Sequence, residues 1–171
     1  MKRLVFLIFM SFLICNPCFA QDGTAEWVTF TGPDGSYSVM FPAQPEEKIK
    51  TNTDSKTVMH LYVGEKFVLI SGCTDYNVPI DKKAELEANR DNFLKAVGGT
   101  LATSREIEFQ KGPNEKLPAL TFTGEGGDYS YKGLIIVDNQ RSYMFVAKGN
   151  GNVLTTIEKF LDSVRLYTVQ K

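Results

Sequence analysis

Strand-like runs bounded by turn residues recur through most of this 171-residue chain, and only two stretches switch to helical spacing. That alternation limits the fold more than any single motif does. Glu26–Phe30 and Ser36–Phe41 flank Thr31-Gly32-Pro33-Asp34-Gly35, a segment dense in turn residues. Ser36–Phe41 alternates small or polar with large apolar side chains, the period of a half-buried strand. Pro42 and Pro45 then close it, because proline offers no N–H to a ladder. Lys56–Val63 and Lys66–Tyr76 are separated by Gly64-Glu65, which predicts a hairpin with a two-residue connection. Further strand-like runs cover Leu101–Phe109, Ala119–Thr123, Tyr129–Val137 and Ser142–Ala147, with Asp138–Arg141 as the turn between the last two. Consecutive strands joined so tightly pair antiparallel.

The first helical stretch opens at Asp81, a side chain suited to cap free N–H groups, and repeats Leu86, Phe93, Leu94 and Val97 at helical spacing before Gly98-Gly99. The second follows the loop Lys148–Asn152, with Asn152 as its expected cap and Val153, Leu154, Ile157, Phe160, Leu161 and Val164 as its buried stripe. About eight strands and two helices imply an α+β fold, an antiparallel β-sheet flanked by helices. The second helix is expected to belong to the core, since each large side chain in its stripe contributes roughly 1.5–3 kcal/mol on burial.

Residues 1–20 read as an address. Lys2 and Arg3 precede the apolar run Leu4–Ile14, Asn16 and Pro17 break it, and Cys18-Phe19-Ala20 places small residues ahead of a cut between Ala20 and Gln21. The run is shorter than the roughly 20 apolar residues a bilayer span needs. Ile14 before Cys15, and Cys15 three before Cys18, suit lipid attachment poorly. The expectation is an exported chain with a single domain over residues 21–171 and no stable membrane anchor after cleavage. The leader removes two bases and no acid, leaving 17 Lys and Arg against 20 Asp and Glu, a net charge of −3 with His60 neutral. No basic stripe points to a nucleic acid. A domain of about 150 residues buries some 68–70% of its unfolded surface, so it needs no disulfide scaffold, and only Cys73 remains beyond the leader.

Cys73 lies within the strand-like Phe67–Thr74 with no base beside it in sequence, which favours a buried structural thiol. His60 is the only histidine, so a metal site built from several imidazoles within one chain is ruled out. No Gly-X-Ser-X-Gly elbow accompanies it, and it reads as a plain strand residue. Gly124-Glu125-Gly126-Gly127 lacks the nucleotide-loop spacing and carries Glu125 with Asp128 nearby, so it reads as a hairpin connection. Gly149–Asn152 reads as a flexible loop with a cap. Glu46 with Glu47, Glu85 with Glu87, and Glu106 with Glu108 are close acids; the last pair shares one face of a strand, which solvation explains. No calcium loop occurs. No catalytic set, metal site or cofactor is predicted. Tyr129 and Tyr131, two apart, together with Tyr143 on the expected partner strand, form a speculative aromatic surface for a ligand or protein, with plain cross-strand packing as the competing reading.

Gly35-Ser36-Tyr37-Ser38-Val39-Met40-Phe41-Pro42, followed by Pro45, resembles the strand that opens many exported PsbP-like domains, relatives of the extrinsic subunit of photosystem II. Phe160-Leu161-Asp162-Ser163 resembles the "Phe-Leu-x-Ser" pattern of their closing helix, and the order of elements between Trp27 and Leu166 is similar. The resemblance implies an α/β/α sandwich around an antiparallel sheet, a place in the bacterial periplasm or outside the cell, and a non-enzymatic binding or accessory role toward an unassigned protein or small-molecule partner. It names no functional residue. Two other readings stay open: a small secreted hydrolase using scattered acids or Ser and His, and a carrier of an apolar ligand.

Overall fold

The computed structural model describes residues 26–151 and 153–168; the expected leader, its expected Ala20/Gln21 cut and Asn152 lie outside the described residues. In chain order the elements are β1 (Val28–Thr31), β2 (Tyr37–Phe41), β3 (Glu46–Thr51), β4 (Ser55–Val63), β5 (Phe67–Tyr76), α1 (Lys82–Val97), β6 (Thr100–Gly112), β7 (Glu115–Gly126), β8 (Tyr129–Asp138), β9 (Arg141–Gly149), α2 (Leu154–Asp162) and β10 (Arg165–Leu166). Seven strands form one antiparallel sheet in the order β3-β4-β5-β9-β8-β7-β6, and β1-β2-β10 form a second.

The fold is α+β and antiparallel, yet richer in strand than a single sheet flanked by helices. Two strands escape the sequence reading for physical reasons. β3 is Glu-Glu-Lys-Ile-Lys-Thr, exposed along its whole length. It is an edge strand, and charge on an edge discourages pairing with other chains while erasing the apolar alternation. β10 is two residues long and is fixed by the register Arg165↔Ser38 and Leu166↔Tyr37, a contact across the whole chain. β5 begins at Phe67, whose carbonyl accepts from the Gly64 N–H at 2.8 Å, so that connection is longer than two residues.

Side-chain parity divides the large sheet into two cores. One face carries Leu69, Cys73, Ala119, Leu134, Ile136, Tyr143 and Phe145 against Tyr37, Val39 and Phe41 of β2 and Ile157 and Phe160 of α2. The other carries Phe122, Tyr131, Ile135, Val137 and Val146 against Leu86, Phe93 and Leu94 of α1. Asp81 caps α1 through a 2.8 Å bond from the Ala84 N–H, and Gly98 ends it at φ 66°, a left-handed conformation that suits glycine. Val153, not Asn152, occupies the N-cap position of α2, and its side chain makes no capping bond. Leu154 also departs from the expected stripe, being 65% exposed.

Candidate functional site

The three tyrosines do not assemble into one surface. Register pairs Tyr143 with Ile136, so Tyr143 shares a face with even-numbered residues of β8, whereas Tyr129 and Tyr131 point to the other face. Tyr131 is buried beneath α1, edge-on to Phe93 at 5.8 Å. Tyr143 is buried in the opposite core against Tyr37 at 6.0 Å. Tyr129 alone is exposed, with the Lys148 ammonium 3.8 Å over its ring. Aromatic packing accounts for the two buried rings.

His60 is part of a buried polar chain. Tyr37 Oη lies 3.1 Å from His60 Nδ1 and 3.2 Å from Ser71 Oγ, and His60 Nε2 lies 3.3 Å from Glu47 Oε2. One proton assignment satisfies every group: His60 donates from Nε2 to Glu47, Tyr37 donates to Nδ1, and Ser71 donates to the tyrosine oxygen. Phe30 leans on the imidazole with ring centroids 4.3 Å apart. Tyr37 and Ser71 are fully buried and His60 is 3% exposed, so no substrate reaches this serine. The chain of bonds ties β2 of the small sheet to β4 and β5 of the large one.

Burial pushes the His60 imidazole below its ordinary pKa, against the opposing bond and charge of Glu47. The unfolded chain takes up the same proton near pH 6.5. The contribution of neutral His60 is therefore fully present above about pH 6.5, and it is lost as pH falls through that value toward the folded-state pKa. Urea unfolding between about pH 7.5 and about pH 5 is expected to show stability falling, and falling less steeply in His60→Gln. Equal slopes in the two proteins would remove His60 from the account. Burial also pushes the Cys73 thiol up to about 11. Cys73 is buried, as its place in a strand suggested, and the thiol stays protonated at neutral pH.

The open feature of the molecule lies elsewhere. α2 and the small sheet cover only part of their face of the large sheet. Beyond the end of α2, β6, β7 and β8 form the floor of a groove of about 530 Å³ whose wall is Leu161, Asp162, Val164 and Arg165. Register lays the floor out in rows across the strands. Thr103, Thr123 and Lys132 form one row, Arg105, Thr121 and Leu134 the next. Ile107 follows, paired with Ala119, and then Phe109, paired with Leu117. The groove is thus polar and cationic at one end and apolar at the other.

Its polar groups are largely committed. Thr103 and Thr123 hydroxyls bond at 2.7 Å, and Thr121 Oγ1 donates to the Arg105 carbonyl at 3.4 Å. Gln110 donates to the Gly112 and Glu115 carbonyls. Arg165 Nη1 donates to the Asp162 and Val164 carbonyls at 2.8 and 2.7 Å, the last acceptors of the α2 end. Lys132 Nζ is 3.7 Å from Glu158. Arg105 has no carboxylate within ion-pair distance among the described residues. A smaller hollow of about 220 Å³ shares Thr123 and Lys132 with the groove. Sequence reasoning named none of these groove residues as functional, apart from counting Leu161 and Val164 as helix packing. The period-two run Thr103-Arg105-Ile107-Phe109 is visible in the sequence, but that the fold leaves Thr103 and Arg105 exposed and Ile107 and Phe109 half-buried is a tertiary fact.

The glycine cluster is a hairpin: β7 ends at Gly126, β8 begins at Tyr129, and Gly127 takes φ 59° between them. Glu106 and Glu108 do share a face, pairing with Lys83 at 2.9 Å and Lys116 at 2.7 Å. These are exposed pairs of small energetic weight. Among the described residues no helix is long and apolar enough to cross a membrane.

No family model matches the chain, and no curated protein matches it. Among solved structures, the solution structure of cyanobacterial PsbP (CyanoP) from Synechocystis sp. PCC 6803 matches with a TM-score of 0.55 at 11% identity, covering 90% of this chain and 98% of that one. A crystal structure from Bacteroides thetaiotaomicron VPI-5482 matches with a TM-score of 0.36 at 11% identity, over 82% of this chain and 48% of that one. The chain has a PsbP-like fold, as its strand-opening and helix-closing motifs implied.

Proposed function

We propose that this protein is an exported, non-enzymatic binding or accessory domain of the bacterial periplasm or cell exterior, and that it binds through the groove between β6–β8 and the end of α2. The observation that carries the reading is the groove itself. It has about 530 Å³ of open space, within the range of ligand sites. Half-buried apolar side chains line it together with cations, on a face that the fold leaves partly open at the edge of a packed core. The PsbP-like fold and the leader of residues 1–20 are consistent with it, and the buried Ser71–Tyr37–His60 chain offers nothing to a substrate.

Native mass spectrometry of the chain recovered from its own cells tests the proposal against a Leu161→Asp variant. The expected result is a bound mass, protein or small molecule, present on the wild type and absent from the variant, whose fold is checked by circular dichroism because Leu161 is half-buried against the core. A bound mass that survives the substitution would put binding elsewhere. Hydrolytic turnover of ester, glycoside or peptide substrates that disappears on mutating one acid or His60 would overturn the non-enzymatic reading.

A further inference from the structure

The rows of the groove floor say more than that something binds. From Thr103 to Phe109 the floor runs three two-residue steps, about 20 Å at the ordinary strand rise. Arg105 and Lys132 stand toward one end, Ile107 and Phe109 toward the other, with Leu134, Leu161 and Val164 alongside. Asp162, the carboxylate that lines the groove, sits on the wall at the end of α2 and not on β6, where Arg105 is free of an ion pair among the described residues.

A peptide suits this surface badly. It brings a backbone donor and acceptor with every residue, and each needs a partner once water is excluded. The groove's threonines, Gln110 and Arg165 already bond within the protein, and the open backbone groups of β6 lie along the outer edge of the sheet and not on the groove floor. A ligand with one charged end and an otherwise apolar body leaves nothing unpaired. Resting on the groove as the binding site, we propose that its ligand is a single-chain anionic amphiphile, a medium-chain acyl carboxylate. The carboxylate lies over Arg105, with Lys132 nearby, and the chain runs along Ile107, Phe109, Leu134 and Leu161. A carboxylate at a guanidinium takes two parallel N–H···O bonds, the strong form of such contacts.

Calorimetric titration of the purified chain with decanoate and with 1-decanol tests this. Saturable binding of decanoate is expected, with 1-decanol about tenfold weaker, a difference of about 1.4 kcal/mol. Arg105→Gln should weaken decanoate about tenfold and leave 1-decanol unchanged. Its melting should not move, because Arg105 is exposed. Equal binding of both probes, indifferent to Arg105→Gln, would overturn the anionic head and leave the groove as the site. Failure of both probes, with a natural partner still lost in Leu161→Asp, would overturn the amphiphile alone. Attachment to phosphatidylglycerol vesicles without binding of free decanoate would assign the surface to a membrane and overturn it too. Failure of both probes with no groove-dependent partner would overturn this inference and the proposed function together.

Discussion

Phe160→Ala is expected to cost about 3–5 kcal/mol of folding stability, the usual range for emptying a buried phenylalanine site. Phe160 is completely buried, and its ring lies 5.3 Å from that of Phe41, which meets Phe30 edge-on at 5.9 Å. α2 has nine residues and no side-chain cap at its N-terminus, so its stability comes from this packing and not from helix propensity. The junction also carries a polar link. Ser163 Oγ accepts from the Met40 N–H at 2.8 Å and donates to the Phe160 carbonyl at 2.6 Å. The two sequence motifs that resemble PsbP-like domains therefore meet in space. Phe41 of the first packs on Phe160 of the second, and Met40 bonds Ser163. The melting temperature should fall by about 6–20 °C, at about 2–4 °C per kcal/mol for a domain of this size. Leu154→Ala, on the same helix but exposed, should stay within about 0.5 kcal/mol. Similar losses from the two substitutions would show that α2 is not anchored by Phe160. Because Leu161 and Asp162 of the same helix wall the groove, loosening Phe160 should also weaken whatever the groove binds.

What could be read from the sequence follows how local the deciding physics is. The antiparallel pairing, the cap at Asp81, the stop at Gly98 and the hairpin at Asn139-Gln140 all depend on neighbours in sequence, and all are present. β3 was hidden because an edge strand with Lys48, Lys50 and two glutamates has no buried face to pattern. The tyrosine trio misled because parity within β8 is legible, while the parity of β8 relative to β9 depends on where the turn sets the register. His60 was recognised as a strand residue, but its partner Tyr37 comes from another strand, 23 residues before it, and Ser71, which bonds Tyr37 in turn, comes from a third. The groove is the extreme case. Each of its strands shows correct alternation, and the site exists only because α2 and the small sheet leave part of the face formed by β6, β7 and β8 open. No window of sequence contains that information.

Gly133→Val is expected to be the most damaging single substitution on the other face of the sheet, at or above about 3 kcal/mol, the upper end for overpacking a core. Gly133 pairs with Phe122 across β7 and β8. A Cβ at Gly133 would lie 2.1 Å from one Phe122 ring carbon and 2.4 Å from another, far inside contact distance. The ring has nowhere to go, since Phe122 is 1% exposed and is held by Phe93 of α1 at 6.0 Å. Glycine is here because the phenyl group fills the space its own side chain would take. The cost should therefore belong to the pair and not to the position. Gly133→Ala and Phe122→Leu, combined, should be less destabilising than the sum of the two alone, because the leucine vacates the space that the alanine methyl needs. Chemical unfolding of the four proteins measures the coupling. Additive losses would mean that β8 yields to the new methyl by moving its backbone, and the fit of α1 on this sheet would then be looser than the close approach of Phe122 and Gly133 implies.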